Sequence, residues 1–230
     1  RILTTLFVVL LLLAVAAFSV RALRATRALP LQPWHTHVPV ELSAAEIDQA
    51  DWARYLAQER AIVEDIRVNV TQRLEPDARV PYNRYFEGSP VYPPGFAQDW
   101  NRSYVMEPSG PPRGAAVLLH GLTDSPYSLR HVARRYADRG FVAIGIRMPG
   151  HGTVPSGLTD ARWEDWSAAT RLAVREARRR VPGAAPLHLV GFSNGGALAV
   201  KYALDAIEDP ALPRADRLVL FTPMIGITRF

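Results

Sequence analysis

From Gly114 onward the chain alternates short, continuous apolar runs with stretches of helical spacing, and this alternation restricts its fold more than any other feature. Residues 115–119, 141–146, 187–190 and 217–221 read as strands, because unbroken apolar runs belong to strands covered on both faces. Between them, 128–139, 161–180 and 196–207 read as helices. Leu129, Val132, Ala133 and Tyr136 share one face before Gly140 stops the first. Trp163, Trp166, Ala169, Leu172 and Ala173 share one face before Pro182 and Gly183 end the second. Strands joined through helices predict right-handed crossovers and a mostly parallel sheet, an α/β architecture. Ligands of such sheets bind beyond the carboxyl ends of the strands. The informative residues are therefore His120-Gly121, Arg147 to Gly152 and Gly191 to Gly196.

The last of these turns reads G-x-S-x-G around Ser193. A sharp strand-to-helix turn strains the serine backbone, and side chains at Gly191 and Gly195 would collide with neighbouring backbone. The turn would lift the Ser193 hydroxyl clear of the sheet, beside a helix N-terminus whose free amides favour developing negative charge. Acyl transfer builds such charge on a carbonyl oxygen. Asn194, next after the serine, offers one backbone amide to it. Leu122, on the loop after the first strand, offers the other, and Gly121 lets that backbone approach closely. His120 suits shaping this loop better than carrying protons. Asp124, Ser125 and Tyr127 are candidates to line a pocket, although the polarity of a surface loop explains them as simply. His151 lies at the same end of the sheet.

In order along the chain, Leu118-Leu119-His120-Gly121-Leu122-Thr123-Asp124-Ser125, Arg147-Met148-Pro149-Gly150-His151-Gly152, Glu164-Asp165-Trp166 and Gly191-Phe192-Ser193-Asn194-Gly195-Gly196 resemble the monoacylglycerol lipase and bacterial carboxylesterase branch of the α/β-hydrolases. The serine aminopeptidase-like group is similar. The resemblance covers about residues 115–228. It implies hydrolysis of carboxylic esters, with Ser193 as nucleophile, the amides of Leu122 and Asn194 as oxyanion hole, no metal or organic cofactor, and His151 as a loop residue. A small-molecule ester or lipid is the expected substrate, and His120, Gly121, Asp124, Ser125 and His151 are the candidates to line its pocket. Two departures stand out. Asn194 takes a place where members often carry Met or Leu. No histidine follows Ser193, although the fold places its acid and then its histidine after the serine. Asp205 and Asp209 fall on or beside a helix, and Asp216 precedes a strand. We therefore expect an α/β-hydrolase truncated at its C-terminus, with acid and base beyond Phe230. A non-catalytic binding or scaffold protein on the same fold is the alternative of another class. Acyl transfer or peptide cleavage on the same scaffold is a third.

Upstream, residues 2–20 are apolar apart from Thr4, Thr5 and Ser19, long enough for a single transmembrane anchor. A cleaved signal competes, with Ala14-Val15-Ala16 as its site. Arg1 precedes the run and Arg21, Arg24 and Arg27 follow it, which leaves the side of the membrane open. Residues 21–42, with Pro30, Pro33 and Pro39, read as an extended linker. Ser43 and Glu46 form a capping box that starts a long amphipathic helix over 43–74. Its apolar face, with Ile47, Trp52, Tyr55, Leu56, Ile62, Val63, Ile66 and Val70, is expected to pack on the hydrolase domain, 75–230. Within that domain 76–95 reads as irregular, and 101–107 as a weak early strand.

The net charge of +5 is carried almost wholly by arginine, Lys201 being the sole lysine. Its densest run, Arg178 to Arg180, ends a helix, where the dipole favours cations, so no nucleic-acid partner is expected. The chain has no cysteine, which excludes disulfides, thiolate metal sites and a cysteine nucleophile.

Overall fold

The structure is a computed structural model that describes residues 1–26 and 30–226. Arg27 of the basic cluster, and Thr228 and Phe230 at the far end of the motif-bearing region, lie outside the described residues. The chain divides into two compact units, Arg1–Gln32 and Pro33–Phe230. The first is built on helix α1 (Ile2–Thr26), of which Ile2–Arg24 is long and apolar enough to cross a membrane. Its 25 residues measure about 37 Å at 1.5 Å each, against a hydrocarbon core of about 30 Å.

The second unit opens with a single helical turn, α2 (Pro33–Thr36), where an extended linker was expected. The long helix expected over 43–74 is in fact two helices and a 3₁₀ turn. They are α3 (Ala44–Gln49), α4 (Trp52–Asn69) and the turn Thr71–Arg73. Glu46 accepts hydrogen bonds from the Ser43 amide (2.9 Å) and hydroxyl (2.7 Å), as the capping signal required. The break comes at Ala50, which is extended, and at Asp51, whose carboxylate caps α4 by accepting from the Arg54 amide at 2.7 Å. A second cap signal inside an apolar period restarts the helix in a new direction. The apolar face packs as expected: Ile47, Trp52 and Tyr55 are buried in the main core with residues of the sheet.

Five strands follow: β1 (Tyr104–Met106), β2 (Gly114–Leu119), β3 (Phe141–Ile146), β4 (Leu187–Phe192) and β5 (Arg217–Phe221). Their order is β1-β3-β2-β4-β5, parallel except for β1, which runs antiparallel to β3 at one edge. Helices α5 (Arg130–Ala137), α6 (Trp163–Arg179) and α7 (Asn194–Glu208) make the crossovers. Val117, Leu119, Ile144, Ile146, Leu187 and Leu189 pack beneath α3, α6 and α7. Ala116, Leu118, Ala143 and Val190 point the other way, against Leu129, Ala133 and Ala137. Apolar side chains are thus needed on both faces of each strand, which is why the runs are continuous rather than alternating. The early strand is only three residues long, and Pro108, Pro111 and Pro112 close behind it supply no ladder donors.

Candidate active site

The motif-bearing loops converge at the carboxyl end of the sheet. Ser193 joins β4 to α7 with φ 52° and ψ −115°, a conformation that L-residues seldom adopt. Its backbone is pinned from both sides. The Ser193 amide donates to Phe221 O at 3.0 Å, and its carbonyl accepts from Gly196 (2.9 Å) and Met224 (3.0 Å). The flanking glycines are obligatory. A Cβ on Gly195 would stand 2.0 Å from Leu119 O, and one on Gly191 would stand 2.3 Å from Gly195 O. Close packing of α7 against the end of β2 therefore depends on the absence of these side chains.

Backbone strain is concentrated here. Among the described residues three non-glycine positions have positive φ: Thr123, Ser193 and Thr222. They follow β2, β4 and β5 respectively, whereas the loop after β3 places its positive φ on Gly150 and Gly152. Strain of this kind persists where surrounding structure over-determines it, and it gathers at functional sites. No sequence pattern marked Thr123 or Thr222.

Gly121 brings the loop after β2 onto the serine: a Cβ there would lie 3.5 Å from Ser193 Cβ. Among the described residues, the amides of Leu122 and Asn194 donate to no protein group. Asn194 is the first residue of α7, where the helix leaves its amide without an internal acceptor. Its side-chain Nδ2 is buried and unpartnered too.

The two histidines at this end are fixed by backbone. His120 is fully buried; its Nδ1 lies 2.9 Å from Gly121 O, and its Nε2 accepts from the Met148 amide at 3.1 Å. Burial, then the neighbouring His151, pushes its pKa down to about 3, so the ring is neutral. It staples the loop after β2 to the loop after β3. Both ring nitrogens of this pocket candidate are thus engaged by backbone groups. Asp124, Ser125 and His151 do line a common cleft with Asn101 and Thr153, while Gly121 packs against Phe192 and Ser193. Among the described residues no cluster of three or more His, Asp or Glu side chains is placed to hold a metal ion.

Residues 110–229 match the family described as serine aminopeptidase, S33. The chain belongs to this family. Its sheet, crossovers and strained serine turn are those of an α/β-hydrolase. Over 87 residues it is 30% identical to a thermostable monoacylglycerol lipase of Bacillus sp. (strain H-257), a stretch covering 38% of this chain and 34% of that one. The match spans about a third of that relative's length. Among solved structures it is similar to one from a study of LipS and LipT, two metagenome-derived lipolytic enzymes, at 28% identity and a TM-score of 0.46, over 54% of this chain and 46% of the other. It is also similar to a thermostable carboxyl esterase from Bacillus coagulans, at 18% identity and a TM-score of 0.44, over 51% and 38%.

The S33-family region does not stand alone at the site. Arg147, the residue after β3, is fully buried and grips the segment before the family match. Its guanidinium donates to both oxygens of Glu41 (2.8 and 2.9 Å) and lies 3.4 Å from Glu59. Tyr55 donates to Arg147 O at 2.6 Å, and the Arg147 amide donates to Ser103 Oγ at 2.8 Å. Burial opposes the Arg147 charge, but the Glu41 carboxylate outweighs it and holds the guanidinium above its usual pKa. Burial likewise opposes the Glu41 charge, yet Arg147 and the Gly150 amide keep its carboxyl below 4.5. At Glu59 burial prevails and raises the pKa. Sequence reasoning missed this network. Its members are scattered from Glu41 to Arg147, and the only signal was an arginine closing an apolar strand.

Proposed function

We propose that the protein is a serine hydrolase of carboxylic esters, working through an acyl-enzyme on Ser193. The observation that carries this reading is the strained Ser193 backbone between strand and helix, with the unbonded amides of Leu122 and Asn194 on the two loops that meet there. Those amides are the proposed oxyanion hole. One such donor is worth about 3 kcal/mol of barrier when aimed at the developing charge. Similarity to a monoacylglycerol lipase supports a small-molecule ester or lipid as substrate.

A serine hydroxyl also needs a base. His120 and His151 each hold backbone carbonyls, His188 on β4 meets the Tyr136 hydroxyl at 3.2 Å, and His37 meets Asp65 at 2.5 Å. Asp216 accepts from the Leu187 amide and Asp205 pairs with Lys201, each at 2.7 Å. Among the described residues the Ser193 side chain has no hydrogen bond to a histidine, and this is the observation favouring the second reading, a binding protein on a hydrolase fold. A fluorophosphonate probe applied to the full-length protein separates the two. Labelling that is lost in Ser193→Ala supports the hydrolase. An unlabelled, folded protein supports the binding protein. We also read α1 as a membrane anchor or a signal helix; resistance of the mature protein to alkaline carbonate extraction identifies the anchor.

A further inference from the structure

The fully buried His120 joins two peptide groups and sets the direction of each. Its Nδ1 lies 2.9 Å from Gly121 O, and its Nε2 lies 3.1 Å from the Met148 amide. A carbonyl can only accept and an amide can only donate, so the one proton of the neutral ring is on Nδ1. Gly121 O belongs to the same peptide group as the Leu122 amide. That peptide is trans, so its C=O and N–H point in opposite directions. Turning the carbonyl to the imidazole therefore turns the Leu122 N–H away from it. Gly121 has no side chain to restrict its own dihedrals, and its amide is a long 3.4 Å from Asp124 Oδ2. The imidazole is thus the firm hold on this peptide.

The second peptide repeats the arrangement. The Met148 amide shares its peptide group with Arg147 O, and Arg147 O accepts from the Tyr55 hydroxyl at 2.6 Å. Tyr55 lies on α4, outside the region of the family match, with its ring in the main core. Burial pushes its pKa up, so the hydroxyl keeps its proton and donates. From Tyr55 onward every link donates in the same sense: hydroxyl to Arg147 O, Met148 N–H to His120 Nε2, His120 Nδ1–H to Gly121 O. The free end is the Leu122 N–H, which among the described residues donates to no protein group. Hydrogen bonds arranged head to tail polarise one another, and more strongly away from water. Tyr55, Arg147, Met148 and His120 are all buried. A donor at the head therefore strengthens the donor at the tail and holds its direction.

We propose that Tyr55 is a positioning residue for the Leu122 amide, acting through the Arg147–Met148 peptide, the His120 imidazole and the Gly121–Leu122 peptide. Its effect on ester hydrolysis rests on the acyl-enzyme reading, in which that amide meets the developing oxyanion. The chain of hydrogen bonds does not rest on that reading. Through it, a helix outside the family match acts on the reaction without touching substrate.

The test uses the full-length protein with isotope-labelled histidine and long-range proton–nitrogen spectra, the His120 signals being identified by their loss in His120→Gln. Tyr55→Phe removes only the hydroxyl. The Met148 amide then donates more weakly, and the His120 Nε2 signal should move downfield. Tyr55 replaced by 3-fluorotyrosine, whose O–H is the stronger donor, should move it upfield. Ile62→Val, a packing change at a buried position of the same helix, should leave both His120 nitrogens where they are. Absence of these opposed movements, or equal movement in Ile62→Val, overturns the chain, whether or not Ser193 takes a fluorophosphonate. Where Tyr55→Phe does not fold, an unmoved signal in the fluorotyrosine protein is enough to overturn it. In protein that labels, kcat for p-nitrophenyl butyrate should fall about tenfold in Tyr55→Phe while KM stays within about twofold, and Ile62→Val should change neither. A moved His120 signal with unchanged kcat overturns the positioning role and leaves the Ser193 reading intact. A protein that takes no fluorophosphonate sinks the Ser193 reading, and with it the effect on hydrolysis, while the spectra still decide the chain.

Discussion

Two regions meet at the carboxyl end of the sheet and are held there by opposite physics. The elbow around Ser193 is fixed by backbone sterics: glycines that admit no Cβ, and a positive φ held by hydrogen bonds to Phe221 and Met224. The segment 33–109 is fixed by desolvated charge: Glu41, Glu59 and Tyr55 closing on a fully buried Arg147. Steric constraints tolerate no substitution but ignore pH. Buried ion pairs tolerate paired replacement, yet respond strongly when one partner is removed. The comparison teaches that a hydrolase core can recruit an upstream segment into its site without sharing any motif with it.

The largest effect should come from the steric side. In Gly195→Ala the new methyl would stand 2.0 Å from Leu119 O, and neither backbone can yield without unseating α7 from β2. We expect a loss of about 4–5 kcal/mol, the upper end for a point change, read by chemical denaturation together with loss of Ser193 labelling. Near-normal stability would show that the elbow is looser than its contacts state. On the electrostatic side, Arg147→Met should cost about 3–5 kcal/mol, because it leaves the Glu41 carboxylate buried and unpaired. Replacing Glu41, Glu59 and Arg147 together by apolar residues should recover much of that loss, whereas no second change rescues Gly195→Ala. A triple variant no better than Arg147→Met would erase the distinction.

The contrast also explains what could be read from the chain beforehand. Sterics are local, so the elbow, the crossovers and four of the five strands are written in short runs such as 141–146 and 191–196. Capping is local as well, and Ser43 with Glu46 started a helix where expected. Asp51 carries the same signal, but inside an apolar period it passed as an ordinary polar position, and one helix was expected where two exist. Burial of charge is not local. Arg147 could be seen to end a strand, but its partners lie 106 and 88 positions upstream, and nothing in Glu41 or Glu59 distinguishes them from exposed glutamates. The partner that fixes His120, the Met148 amide, was likewise not legible, because it belongs to another strand's loop.

A smaller effect sharpens the electrostatic half by its sign. Glu41 is held below its usual 4.5, so the stability it brings is fully present above that pH and is lost as pH falls through its folded value. Glu59 is raised by burial, so its contribution is present below 4.5 and is lost as pH rises through its folded value. Glu41→Gln should flatten the acid limb of the stability–pH curve. Glu59→Gln should instead lift stability towards neutral pH relative to acid. Curves that both variants displace equally at every pH would mean that the network acts by packing rather than charge.

The smallest effect concerns where the upstream segment bends. Asp51 ends one helix run and caps the next, and its carboxylate accepts a single amide hydrogen bond from Arg54. Losing such a cap costs about 1 kcal/mol, and Asp51→Asn, which keeps the acceptor, should cost little. If the bend is what delivers Tyr55 and Glu59 to Arg147, Asp51→Ala should also raise hydrogen exchange at the Arg147 and Gly150 amides, since these donate to Ser103 and Glu41 within the network. The Ser193 amide, bonded to Phe221 inside the steric region, should keep its protection. Equal loosening at all three amides would show that the two regions are one cooperative unit, and that the division between them describes contacts but not energetics.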